Sequence, residues 1–445
     1  MTTVGSAVGA VLSAHGVAGV YGDALPGLRV TRVEDASSAA LLALADARVS
    51  ARCALTHVAG VFRVFDAGGP RGAGRERVVS DPGEVVDVVR AALADGSGVR
   101  LDVDPDAPIR TAPGWVPPGV AEQVPDGLAE RLVAATRPLI LAGVGVRAAG
   151  ATAALRTVAG VAGVGVLNTW AAKGVLTWHS PYHLGTYGLQ ADDLAIADPA
   201  SYDLVIRTGG TDGVGAHIAD IVDLDASALP ALAGALTPRT GAPTTDSPLR
   251  DRLAAVVQAG WLASEPPLPP TLLTRHCSLL LAEHGLVAAD AGVAGFFLGR
   301  TFPTLVPGSV VLPAASASPP GFAAAVVLVT RLRDPWRPAL ALVDAGDAGG
   351  PDAATAAVRE LALGMGAAVP VACWSPDGPA LGADVHPAEL FRAVHGDAGR
   401  VVRVGYDVAA FTELVAVAGP VTAWKDPATS RHSMLEQPYR RGEFT

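Results

Sequence analysis

Residues 137–212 constrain the fold more than any other stretch of this chain. An apolar run, Pro138-Leu139-Ile140-Leu141-Ala142, meets a glycine turn, Gly143-Val144-Gly145. An alanine-rich helical pattern over 148–158 follows, and a second apolar run, Val164-Gly165-Val166-Leu167, comes next. Strand, tight turn, helix and strand in that order predict one right-handed βαβ unit of a parallel sheet. The stretch continues through NTWAAKGVLTWHSPYHLGTYG and closes on SYDLVIRTGGTD.

The turn satisfies the literal G-x-G-x-x-A pattern of a dinucleotide site, where a helix N-terminus holds a pyrophosphate. That fingerprint also needs an acid at the end of the second strand, about twenty positions on, for the ribose hydroxyl. Leu167-Asn168-Thr169 stands there, and no Asp or Glu appears before Asp192. The other reading of the glycines is close packing of helix on strand. It leaves a nicotinamide dehydrogenase as the weaker reading.

A chain of 445 residues has ample volume for two to four domains. Mean hydropathy is +0.36, yet no run of eighteen apolar residues escapes interruption by charge, glycine or proline, so no membrane span is expected. The apolar N-terminus lacks the basic region of a signal peptide and reads as a buried helix. A net charge of −10 argues against a nucleic-acid partner, which needs clustered Lys and Arg. The three cysteines, Cys53, Cys277 and Cys373, have no metal-binding spacing and read as buried reduced thiols of a cytoplasmic protein. The histidines, among them His57, His179, His183 and His276, are scattered without ligand spacing.

Two proline-rich connectors, at 111–119 and 264–270, leave three α/β blocks. These are residues 1–112, residues 126–262, and residues 270–445 with a polar tail over 430–445. Strand and helix patterns alternate in each, which predicts doubly wound parallel sheets. In the third block a strand over 286–290 ends on Asp290, and a buried strand over 339–343 runs into Asp344-Ala345-Gly346-Asp347.

With these elements in order, the chain resembles the thiamine-diphosphate-dependent enzymes of the acetolactate synthase and pyruvate decarboxylase type. The middle-block run quoted above carries most of the likeness. His15-Gly16-Val17, Val20-Tyr21-Gly22 and Pro26-Gly27 resemble the family's opening strand and loop. Arg32-Val33-Glu34-Asp35-Ala36 is similar to the segment bearing its cofactor-activating glutamate, and Glu360-Leu361 through Val369-Pro370-Val371 to the helix and strand after its diphosphate site. The resemblance implies three Rossmann-like domains: pyrimidine-binding (shortened here), middle and diphosphate-binding. It implies thiamine diphosphate with Mg²⁺, a 2-oxo acid substrate for decarboxylation or carboligation, and a homodimer or tetramer. Some relatives bind FAD in the middle domain, but nothing in this sequence supports it.

Carried over position by position, Glu34 is the activating acid. A gap-free register puts Asp344-Ala345-Gly346 at the family's Gly-Asp-Gly, with Ala at the ligand position. A shifted register gives Gly346-Asp347-Ala348, and Asp377 stands in place of the second ligand, Asn, so Asp347 and Asp377 are the candidate metal ligands. Gly346 and Asp347 would hold the diphosphate. Phe322, after Ala315-Ser316-Ala317-Ser318, would prop the cofactor's bent shape. One departure stands out: Ala54-Leu55-Thr56-His57 runs almost directly into Val61-Phe62-Arg63-Val64-Phe65, where the family has a further helix and strand lining the pyrimidine pocket. The alternative implied by these departures is a catalytically inactive relative serving as a binding or partner subunit, paired with an intact homologue.

Overall fold

The computed structural model describes residues 2–25, 27–50, 52–66, 69–70, 75–109, 123–210, 220–239, 241–266, 268–281, 284–314, 319–346, 349–379, 381–382, 385–395 and 399–423. Asp347, the 315–318 segment, the 111–119 connector and the 430–445 tail lie outside them. The chain divides into two compact units, residues 1–121 with 148–150, and the remainder.

The first unit holds helices α1 (Val4–Ala14), α2 (Ala36–Ser50) and α3 (Val85–Asp95). Its main strands are β1 (Val20–Gly22), β2 (Thr31–Arg32), β3 (Ala54–Val58), β4 (Val61–Asp66), β5 (Glu76–Val79) and β6 (Gly98–Leu101). They lie in the order β2-β1-β3-β4-β6-β5. β1 pairs in parallel with β2 and β3, and β5 with β6. β4 is antiparallel to β3 and to β6, so this sheet is parallel toward both ends and carries a hairpin at its centre. The reason is length. Only Ala59 and Gly60 separate β3 from β4, at φ +50 and +76. Positive φ at both positions is the turn geometry whose twist matches a two-residue hairpin, whereas a parallel return needs a crossover of about a dozen residues. Val8, Leu12, Val20, Leu55, Phe62, Val64 and Val89 share the buried core.

The second unit contains two parallel five-stranded sheets. The strands of the first are β7 (Pro138–Ala142), β8 (Gly165–Thr169), β9 (His183–Tyr187), β10 (Leu204–Thr208) and β11 (Ile221–Leu224). Their order is β9-β8-β7-β10-β11, or 3-2-1-4-5, the classic dinucleotide-fold order without its sixth strand. The helix between β7 and β8, α4, spans Thr152–Ala162 rather than the expected 148–158. Gly150, at φ +64, interrupts the run, and Gly163 ends the helix in a left-handed cap. Helix α5 (Pro248–Trp261) closes this block.

The other sheet contains β12 (Leu286–Ala289), β13 (Val310–Val311), β14 (Ala339–Asp344), β15 (Val371–Ser375) and β16 (Val401–Gly405). Their order is β13-β12-β14-β15-β16, that is 2-1-3-4-5, the flavodoxin-like order. The accompanying helices are α6 (Pro270–Leu280), α7 (Val293–Thr301), α8 (Phe322–Arg333), α9 (Ala353–Gly364), α10 (Val385–His395) and α11 (Ala409–Ala418). One core runs through both sheets: Leu139, Leu141, Leu249 and Leu253 share it with Leu273, Phe296, Phe297 and Leu340. The expected α/β architecture of Rossmann-like, mostly parallel sheets is what the chain adopts.

Candidate functional site

In an open parallel sheet, ligands bind outside the carboxyl ends of the strands where the strand order reverses. In the flavodoxin-like sheet that point lies between β12 and β14, and an aspartate stands at each strand end. Asp290 follows β12; only 8% exposed, it accepts hydrogen bonds from the Gly321 N–H at 3.0 Å and the Ala323 N–H at 2.6 Å. Those amides open α8. Asp344 ends β14 and accepts from the Val293 N–H at 2.7 Å and the Ala294 N–H at 2.8 Å, which open α7. Gly292, at φ +132, is required there, because a methyl on it would come within 2.1 Å of Asp344 Oδ2. Burial pushes the Asp290 carboxyl up to about 7 against the pull of its two amides, with Asp352 and Asp344 adding to the rise. Asp352 itself caps α9 through the Thr355 N–H at 2.6 Å.

The resemblance-based positions are distributed as follows. Gly346, just past β14, donates its N–H to Gly350 O at 2.8 Å. Asp377 lies exposed in the turn after β15, its N–H directed to Ser375 Oγ at 3.2 Å. Because β14 and β15 pair in parallel, both positions lie at the same end of one sheet. Phe322 is fully buried in the first turn of α8. Asp347 is outside the described residues. Among the described residues, no group of three metal-binding side chains converges.

Glu34 belongs to the first unit. It is exposed in the bend between β2 and α2. Its neighbour Asp35 is the acid engaged at the start of α2, accepting from the Ser38 N–H at 2.6 Å. Those bonds to Ser38 hold the Asp35 carboxyl below the ordinary carboxylate range.

The middle sheet reverses order between β7 and β10, and there the chain fills its own crevice. The Gly143 N–H donates to Thr208 O and the Gly145 N–H to Gly209 O, each at 2.8 Å. A methyl on Gly143 would come within 1.9 Å of Gly210 O, and one on Gly145 within 2.7 Å of Gly209 Cα. The G-x-G-x-x-A turn therefore serves backbone-on-backbone packing, and its amides face protein carbonyls rather than a pyrophosphate. This agrees with the packing reading of the glycines and not with the weaker, dinucleotide one. Asn168, where the ribose-binding acid would stand, is buried and bonds Thr186 Oγ1 at 3.1 Å and His183 Nε2 at 3.1 Å.

Sequence reasoning missed a buried polar group beside these strands. Arg300 of α7 and Asp193, each 1% exposed, form a two-oxygen ion pair at 2.7 and 2.8 Å. Asp193 Oδ2 also accepts from the Leu189 and Gln190 amides, and Arg300 donates to Thr186 O at 2.9 Å. Lys173, 2% exposed, has no hydrogen-bond partner for Nζ, which lies 5.2 Å from the centre of the Trp178 ring. Burial, and then the Arg300 charge, bring its amine down to about 7. Burial, and then Lys173 and Arg250, bring His183 to about 3, so its ring is neutral. A signal existed: Lys173 is one of two lysines in the chain and is flanked by Ala, Gly and Val.

Residues 126–218 match the family model described as the thiamine pyrophosphate enzyme central domain. No curated protein matches the chain. The matched segment covers β7 to β10 and supports a thiamine-diphosphate enzyme family, with thiamine diphosphate the cofactor that the family's domain implies. Among the described residues no helix is long and apolar enough to cross a membrane. The described residues at the end of the flavodoxin-like sheet do not fit that cofactor. The amides opening α7 and α8 already carry carboxylates, and the gap-free metal-ligand position is Ala345, whose N–H donates to Trp374 O.

Proposed function

We propose that this chain is a catalytically inactive relative of the thiamine-diphosphate enzymes that serves as a binding or partner subunit. In this reading residues 1–112, 126–262 and 270–445 correspond to the pyrimidine-binding, middle and diphosphate-binding domains, in a cytoplasmic assembly without nucleic acid or membrane. The observation that carries it is the β3–β4 hairpin. Its two-residue turn stands where the resembled family has a helix and strand lining the pyrimidine pocket. A surface cleft of ≈ 360 Å³, walled by Trp261, Leu262, Leu279 and Pro303, adds support. Leu262 is 76% exposed and Leu279 58%, and apolar surface of this kind favours a binding role. The test is affinity purification from the native host. Recovery of a full-length homologue in stoichiometric amount is the expected result; a homo-oligomer alone counts against the reading.

The segment match favours a second reading, a carboligase or decarboxylase of 2-oxo acids acting as a homodimer or tetramer. Glu34 would activate the cofactor, Gly346 and Asp347 would hold the diphosphate, and Asp347 with Asp377 would hold Mg²⁺. On that reading Glu34→Gln abolishes turnover of a 2-oxo acid while the thermal melt is unchanged. Turnover at the wild-type rate in the variant would exclude Glu34 from catalysis.

A further inference from the structure

We infer that the flavodoxin-like sheet of this chain does not take thiamine diphosphate, because its own Asp290 and Asp344 fill the positions that the diphosphate would occupy. A diphosphate at a sheet's switch point is recognised by helix N-terminal amides and by the positive end of the helix dipole. Two helices open toward the ends of β12 and β14, and in both the first amides are taken. Asp344 accepts from two amides of α7 and Asp290 from two at the start of α8. Asp344 is thus a built-in carboxylate on one helix N-terminus, and the Asp290 carboxyl, whose burial favours its neutral form, occupies the amides of the other.

Space and charge add to this. The 2.1 Å between Asp344 Oδ2 and the position of a Gly292 methyl places that oxygen flush against the backbone, with no gap for a phosphate oxygen between them. An entering diphosphate would meet Asp290 and Asp344, with Asp352 close enough to act on Asp290. Asp377 and Asp344 both act on Tyr406 nearby. Arg403, whose Nη2 would lie 3.7 Å from a methyl on Gly350, is a cation near this end of the sheet. Like charges at such range repel strongly unless a divalent ion intervenes, and the gap-free ligand position for that ion is an alanine.

The inference rests on the proposed function only in taking thiamine diphosphate as the ligand concerned. It is tested by calorimetric titration of the full chain with thiamine diphosphate plus Mg²⁺, and separately with inorganic diphosphate. Wild type is expected to give no binding heat at millimolar ligand. Asp344→Ala, which frees the Val293 and Ala294 amides, is expected to bring inorganic diphosphate binding into the measurable sub-millimolar range, at least about tenfold tighter than the wild-type limit, the equivalent of ~1.4 kcal/mol. Asp344→Asn, which keeps the shape and removes the charge, serves if the alanine variant does not fold. Micromolar binding of thiamine diphosphate by wild type overturns the inference. So does a blank titration for a variant that melts like wild type, an outcome that leaves the partner-subunit reading standing. A blank wild type with no co-purifying homologue sinks the partner reading alone.

Discussion

Lys173 is the residue whose surroundings conflict most with its chemistry. Its amine titrates at about 7 in the fold against an ordinary 10.5. Between those values the unfolded chain holds a proton that the folded chain does not, so this group's contribution makes stability rise with pH from 7 to 10. Lys173→Met should therefore stabilise the protein by about 4 kcal/mol at pH 7, with the gain fading toward pH 10. Paired thermal melts at the two pH values check this, and equal shifts at both would contradict it. Arg300 and Asp193 behave oppositely, since each neutralises the other out of water. Asp193→Asn leaves the guanidinium buried without its counter-charge and should cost about 3–5 kcal/mol, measured by urea unfolding. A variant as stable as wild type would show that the pair carries little. The Asp193–Arg300 pair was not legible in the sequence, and Lys173 stood out there only as one of two lysines, set in an apolar stretch. Arg300 is 107 positions from Asp193, and only the packing of α7 beside the turn after β8 and the end of β9 brings its guanidinium to the pair.

At the scale of elements, the β3–β4 turn is built with one residue ill suited to it. Ala59 sits at φ +50, a region where a Cβ is strained and glycine is not. Ala59→Gly should raise stability by about 0.5–1 kcal/mol, read from the shift in the urea midpoint; a loss would mean the turn is not strained. Gly143 is the reverse case. Gly143→Ala would drive a methyl to 1.9 Å from Gly210 O, and it should abolish soluble, folded expression. A variant with an unchanged melt would show that the two loops separate readily. Most elements were legible because their signals are local: apolar runs of strand length and alanine-rich helical patterns between glycine and proline breaks. The hairpin was visible as two apolar runs with almost nothing between them. What the sequence left open was the use of the glycine turn after β7, since the same residues suit a pyrophosphate or a packed loop. The partner loop after β10, which decides the matter, is some sixty positions away.

At the scale of the whole molecule, the acids at the strand ends show how far a site can be read in advance. Asp290 and Asp344 were evident as strand-terminal residues, but their engagement with the amides of α7 and α8 depends on chain folded back from elsewhere. The cysteines give a molecular readout of compactness. Burial pushes the Cys277 thiol up to about 12 and Cys373 up to about 11, while Cys53 is only half-buried. Titration with a thiol reagent near pH 8 should modify Cys53 first in the native protein and all three after denaturation; rapid native reaction of Cys277 would refute the packing around it. The Arg300–Asp193 pair carries one further consequence. Asp193 falls within the matched segment 126–218, and Arg300 falls outside it. Gln190, also inside, donates to Leu414 O and Gly419 O, and the Trp178 N–H donates to Thr304 O. The matched segment is therefore not a piece to be cut out and refolded by itself, since its buried charge and its backbone partners lie in chain beyond it.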